Sequence, residues 1–159
     1  MWTDQETGIA VQNGLPILPV KVHRDPYGFI DDRQAVPLKV GEYLKMCVGL
    51  LVGLGTQHPL FGRAVRLSFA KGLQASQTYD EAGLIAESLS RLEPFSAEEA
   101  TAILQAAVGN RQVHESGSAS RHLTAFLNRH EKDLDGELSS RCSELLTTKS
   151  EAAKIVRPS

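Results

Sequence analysis

One stretch in the first third of the chain decides the fold class: Pro37-Leu-Lys-Val-Gly-Glu-Tyr-Leu-Lys-Met-Cys-Val-Gly-Leu-Leu-Val-Gly-Leu54. From Tyr43 to Leu54 its apolar residues recur at steps of four, three, one and three, the spacing of one helix face. Further apolar residues widen this face nearly all round. The stretch therefore predicts a helix over 38–54 with Pro37 near its first turn, and it predicts that this helix is the central, most buried one of the domain.

The helical period continues through most of the remaining chain and predicts six helices. Their expected ranges are 38–54, 59–73, 79–92, 97–108, a fifth helix that carries Leu123 to Leu134, and 137–148. Two capping boxes, Thr78 with Glu81 and Ser96 with Glu99, mark the third and fourth helix starts, because each hydroxyl can accept from a helical amide while the glutamate reaches back. The sequence predicts a mainly α fold, either a compact bundle or a short α-solenoid.

The residues before this helical region predict little regular structure. Residues 1–14 are polar without periodicity and end in the turn dipeptide Asn13-Gly14, so we expect a flexible leader. The stretch from Leu15 to Val22 is rich in β-branched residues, but Pro16 and Pro19 limit it to an edge strand or an extended arm. Segment 15–36 is therefore expected to be extended or to form a short hairpin between about 18–23 and 28–31. A single helical domain over 15–148, with helices from 37 onward, and a C-terminal tail over 149–159 complete the expected organisation.

The composition is that of an ordinary globular domain. The chain has 159 residues, 42% hydrophobic and 23% charged, with 17 Lys and Arg against 19 Asp and Glu. Since the net charge is only −2, we expect neither nucleic acid nor membrane as a partner. The acidic N-terminus is unlike a signal peptide and no apolar run reaches the roughly 20 residues of a membrane span, so we expect a cytoplasmic protein. Cys47 and Cys142 are expected to be buried, reduced thiols.

The sequence contains no motif that is typical of a catalytic or cofactor site. It has no Gly-x-Ser-x-Gly elbow, Walker loop or Gly-x-Gly-x-x-Gly, and its histidines lack the spacing of a helical zinc pair. We therefore predict no catalytic residue, no cofactor and no metal. The densest group of acid–base residues is His23, Asp25, Asp31 and Asp32. A small hydrolase or metal-dependent enzyme that uses His23, Asp25 and Asp32, completed by His58, is an alternative hypothesis.

Two groups of residues are candidate partner-binding surfaces. They are Tyr27, Phe29, Asp31 and Asp32 in the N-terminal segment, and Glu131, Asp133 and Asp135 after the fifth helix. In the first group the aromatic rings would anchor a protein partner and the carboxylates would steer it. The second group is either a solvated surface or a docking site for a basic partner.

Two smaller features predict how helices pack. His130 lies on the apolar stripe of the fifth helix and predicts a hydrogen-bonded core histidine. Gly49 and Gly53 form a small-x-x-x-small pattern, which allows two helices to approach closely. An oligomerising structural adaptor that associates through this glycine face is a further alternative hypothesis.

Three segments carry a resemblance to a known class of proteins. They are Val36-Pro-Leu-Lys-Val-Gly-Glu-Tyr-Leu44, Leu50-Leu-Val-Gly-Leu54 and His58-Pro-Leu-Phe61. The chain resembles the small helical immunity proteins that are encoded beside bacterial polymorphic toxins. This resemblance implies a cytoplasmic, non-enzymatic protein that binds one toxin tightly and blocks its active site, and it assigns no role to an individual residue. The leading hypothesis is therefore a protein-binding module of the immunity or antitoxin class, of open oligomeric state.

Overall fold

Helices account for most of the described chain, which confirms the mainly α class that the periodicity predicts. The computed structural model describes the backbone of residues 2–21 and 35–155 and the side chains of residues 5–21 and 35–146. The chain divides into two compact units, residues 1–62 and 63–159, and each is considered by itself. That residues 15–148 fold as one domain stays a prediction.

The N-terminal unit combines helices with a two-stranded sheet. Its elements are α1 (Trp2–Gln12), β1 (Val20–Lys21), β2 (Val36–Pro37), α2 (Tyr43–Gln57) and the first residues of α3 (Pro59–Ala75). α2 and α3 correspond to the first two predicted helices.

α1 lies where the sequence predicted a flexible leader. The helix ends in a left-handed cap, in which Gly14 has φ +63° and the amide of Leu15 donates to the carbonyl of Ala10 at 2.9 Å. The turn predicted at Asn13-Gly14 is therefore this helix terminus. Periodicity missed the helix because its apolar residues form no marked stripe, and one of them, Ile9, is exposed.

The two strands pair in parallel. The amide of Val36 donates to the carbonyl of Pro19, just before β1, at 2.9 Å, and the amide of Leu38 donates to that of Lys21 at 2.8 Å. Pro37 lies between these donors, where the ladder requires no amide. Pro37 thus belongs to β2 and not to the first turn of a helix, which begins only at Tyr43. The predicted hairpin partner, 28–31, lies outside the described residues, and β1 pairs with 36–37 instead.

α2 packs its glycine face against the extended segments of the N-terminal unit. A Cβ atom on Gly49 would lie 3.1 Å from the side chain of Val36, and one on Gly53 would lie 2.9 Å from that of Leu18. The close approach is therefore between helix and extended chain, and not between two helices. Since Val48 and Val52 are the buried residues of α2, the prediction that it is the central, most buried helix is wrong.

The C-terminal unit contains the remaining helices. After α3 come α4 (Tyr79–Ser88), α5 (Ala97–Gly109), α6 (Arg111–His114), α7 (Gly117–His130) and α8 (Gly136–Ile155), with 3₁₀ turns at Leu89–Arg91 and Glu131–Asp133. α7 packs against α4 and α8, and α5 packs against α6, α7 and α8. α6 was not predicted, and α8 extends through Ile155 into the expected tail 149–159.

Both predicted capping boxes are present. The hydroxyls of Thr78 and Ser96 accept from the amides of Glu81 and Glu99, and each glutamate carboxylate accepts in return. Glu99 also accepts from Nε of Arg66 at 2.9 Å. Burial raises the pKa of Glu99, but the hydrogen bonds and charge of Arg66, together with the Ser96 bonds, outweigh burial and hold the pKa below its usual value. This ion pair ties α3 to α5.

Candidate functional site

The first predicted binding group lies outside the described residues. Tyr27, Phe29, Asp31 and Asp32 all fall within 22–34, as do His23 and Asp25 of the alternative enzyme site. Their roles, including their convergence on one site, stay predictions.

His58 is the described member of the alternative enzyme site. It follows α2, and its ring lies against that of Phe61, with centroids 5.0 Å apart. Nδ1 of His58 is buried without a hydrogen-bond partner. Among the residues that the structure describes, no group of three His, Cys, Asp or Glu side chains is placed to hold a metal ion. The observed contact of His58 is thus one of packing.

The second predicted binding group lies on the surface of the C-terminal unit. Glu131, Asp133 and Asp135 are all exposed. Oδ1 of Asp135 accepts from the amide of Leu138 at 2.9 Å at the start of α8, and Oδ2 of Asp133 lies 3.9 Å from Nδ1 of His130. Two of the three carboxylates therefore have local structural contacts, and partner binding by the group stays a prediction.

His130 is a core histidine, as predicted. It is 8% exposed, and its Nε2 lies 3.4 Å from Oε1 of Glu93. Its ring lies 4.5 Å from that of Phe126 and 5.9 Å from that of Phe95, measured between centroids. Nε of Arg129 reaches the same Glu93 oxygen at 3.1 Å. The cluster joins the end of α7 to the segment before α5.

The N-terminal unit exposes most of the large apolar side chains that lie on the described surface. Eleven such side chains are exposed in the described chain, and ten of them belong to residues 1–62. On α2, Tyr43, Leu44 and Leu51 are 57%, 43% and 38% exposed, and Cys47 is exposed between them. These four residues share one side of the helix, since the steps from 44 to 47 and from 47 to 51 are three and four. We call them the α2 apolar face.

The α2 apolar face carries almost no charge. Lys45 is the single charged residue of α2, and it pairs with Glu42 at 3.4 Å. Three further exposed apolar residues, Val40, Leu60 and Phe61, lie near the two ends of α2 in sequence. The sequence predicted the apolar stripe, but placed it in the interior.

The two cysteines differ in their surroundings. Both are free, but Cys47 is exposed on the α2 apolar face, so the prediction that both are buried is wrong for Cys47. Cys142 is buried, and burial raises the pKa of its thiol to about 11. The two thiols should therefore react at very different rates.

Comparison with known proteins found no matching family model, no matching curated protein and no matching solved structure. Within the described residues, no helix combines the length and the apolar character that crossing a membrane requires.

Proposed function

We propose that this protein is a non-enzymatic protein-binding module and that the α2 apolar face is the centre of its binding surface. The observation that carries the proposal is the concentration of exposed apolar side chains in residues 1–62. Large exposed apolar surfaces are typical of interaction sites, because burying them against a partner releases water.

The energies involved are those of an ordinary interface. Fully burying one leucine side chain contributes about 1.5–3 kcal/mol, and Leu44 and Leu51 are 43% and 38% exposed, so a partner that covers both gains about 1–2 kcal/mol from them. Tyr43 adds an aromatic ring with a hydroxyl that can reach the polar rim. A helix with an exposed apolar face fits an apolar groove or another helix on the partner.

We further propose that the partner is a bacterial toxin whose active site is blocked in the cytoplasm. The resemblance to immunity proteins supports this partner. Two of the resembling segments, 36–44 and 50–54, contain three residues of the α2 apolar face, and the third, 58–61, contains the exposed Leu60 and Phe61.

The alternative hypotheses have less support. The enzyme hypothesis depends on His23, Asp25 and Asp32, which lie outside the described residues. The adaptor hypothesis used the glycine face of α2, and in the described chain Leu18 and Val36 pack against that face. An adaptor would have to displace them.

Replacing Leu51 with glutamate should weaken binding to the toxin encoded beside this protein by at least about 30-fold, because the variant loses an apolar anchor and buries an unpaired carboxylate. The affinity is measured by isothermal titration calorimetry, with circular dichroism to show that the helices persist. Asn128→Glu adds the same charge at an exposed position of α7 and should bind like the wild type. Equal affinities for the two variants would show that the α2 apolar face is not part of the interface.

A further inference from the structure

A second candidate docking surface lies in the C-terminal unit and does not depend on the proposed function. It consists of two hollows on either side of α5. The first, of about 350 Å³, lies between α3 and α5. Its apolar lining residues are Leu67, Ala70, Ala102 and Ala106. Small alanine side chains on both helices leave this space open.

The second hollow, of about 240 Å³, lies between α5 and the start of α8. Val108 and Leu138 supply its apolar lining. The same two residues, Gln105 and Gly109, line both hollows. The hollows therefore adjoin each other along α5.

Gly109 lies between the two hollows and lines both. It is the last residue of α5, and a Cβ atom placed on it would meet nothing within 4 Å. Because the ridge of α5 has no side chain at this point, an extended chain can cross from one hollow to the other. We call the two hollows and the crossing at Gly109 the α5 furrow.

The two ends of the α5 furrow carry opposite charge. Lys71 lines the first hollow and is exposed. Asp135, Glu137 and Arg141 line the second, which leaves that end with one net negative charge. Both hollows also have apolar lining residues. A ligand that is complementary to this pattern has an acidic group over the first hollow, a basic group over the second and apolar groups between them.

We propose that the α5 furrow binds an extended peptide segment of a partner protein, with an acidic side chain beside Lys71 and a basic side chain beside Asp135 and Glu137. A peptide spans both hollows, fills each with a small apolar side chain and satisfies both charged ends. The acidic residue Asp135, predicted from sequence as part of a docking group, would act here together with Glu137.

The test uses the full-length protein and short synthetic peptides that share an alternating leucine and alanine middle. One peptide has glutamates at one end and arginines at the other, a second has glutamates at both ends, and a third has glutamines at both ends. We expect the mixed-charge peptide to shift the amide resonance of Gly109 and those of residues in both hollows. It should bind about two- to fivefold more tightly than the other two, the contribution of a charge pair between exposed side chains.

Gly109→Leu should lower the affinity for the mixed-charge peptide at least about tenfold. It should preserve the helices, since leucine is a better helix former than glycine. Gly117→Leu makes the same change at an open position of α7 and should bind like the wild type. Leu51→Glu changes the α2 apolar face and should bind the peptide as tightly as the wild type. Peptide binding at the α5 furrow can therefore be tested independently of the binding surface in the proposed function. Equal binding of the three peptides, shifts confined to one hollow, or undiminished binding by Gly109→Leu would overturn the proposal.

Discussion

Replacing Phe126 with alanine should lower the free energy of unfolding by about 4 kcal/mol, a typical cost for truncating a buried phenylalanine. Phe126 has no exposed surface. Its ring packs edge-on against Phe95 at 5.0 Å and lies 4.5 Å from the ring of His130. Truncation would leave a cavity in the centre of the C-terminal unit and would remove both ring contacts.

The measurement is equilibrium unfolding in urea followed by circular dichroism. Phe126→Leu keeps most of the side-chain volume and should cost less than about 1.5 kcal/mol. A loss below about 1 kcal/mol for the alanine variant would contradict the placement of Phe126 in the core.

Replacing Glu99 with glutamine should cost about 2–3 kcal/mol at neutral pH, because it leaves the largely buried Arg66 guanidinium without its counter-charge. Glu99 is 2% exposed, and its carboxylate both completes the capping box with Ser96 and pairs with Arg66. Glu98 provides a matched control on the same helix. Its pair with Arg63 is exposed at both ends, so Glu98→Gln should cost less than about 0.5 kcal/mol.

The stability contributed by Glu99 should also depend on pH in a defined direction. Its pKa in the folded protein is lower than the usual 4.5, so the folded state binds fewer protons in this range than the unfolded state. The contribution is fully present above the unfolded pKa and is lost as the pH falls through the folded pKa. The difference in unfolding free energy between wild type and Glu99→Gln should therefore narrow below pH 4.5. A difference that stays constant through this acid range would contradict the assigned pair.

The features that sequence predicted well are local ones. The boxes at Thr78 and Ser96 follow from residues three positions apart, so nothing distant has to be known to place them. The apolar stripe of α7 likewise placed His130 in the core. Neither inference required knowledge of which elements meet.

The features that sequence missed depend on distant partners. The pairing of β1 with β2 joins segments that are separated by many residues. Because of this pairing, Pro37 is a strand residue, whereas the sequence predicted it near the start of a helix. α2 is apolar nearly all round, so periodicity identified the helix without showing which face is covered. Leu18 and Val36 cover the glycine face, and the side with Leu44 and Leu51 remains exposed.

The candidate site was therefore predicted only in its composition. The sequence identified the apolar residues of α2 but assigned them to the interior. It named Asp135 as part of an acidic surface group, but it did not predict that the carboxylate of Asp135 accepts from the amide of Leu138 and caps α8. The α5 furrow has no sequence signal, because residues from α3, α5 and α8 meet there only after folding.

The reactivity of Cys47 tests the central claim most directly. Its thiol is exposed on the α2 apolar face, whereas Cys142 is buried with a pKa of about 11 and serves as an internal control. If the toxin partner covers the α2 apolar face, the rate of Cys47 alkylation by iodoacetamide should fall at least about tenfold in the complex, and Cys142 should stay unreacted in both states. A stable complex in which Cys47 reacts as fast as in the free protein would contradict the proposed binding surface.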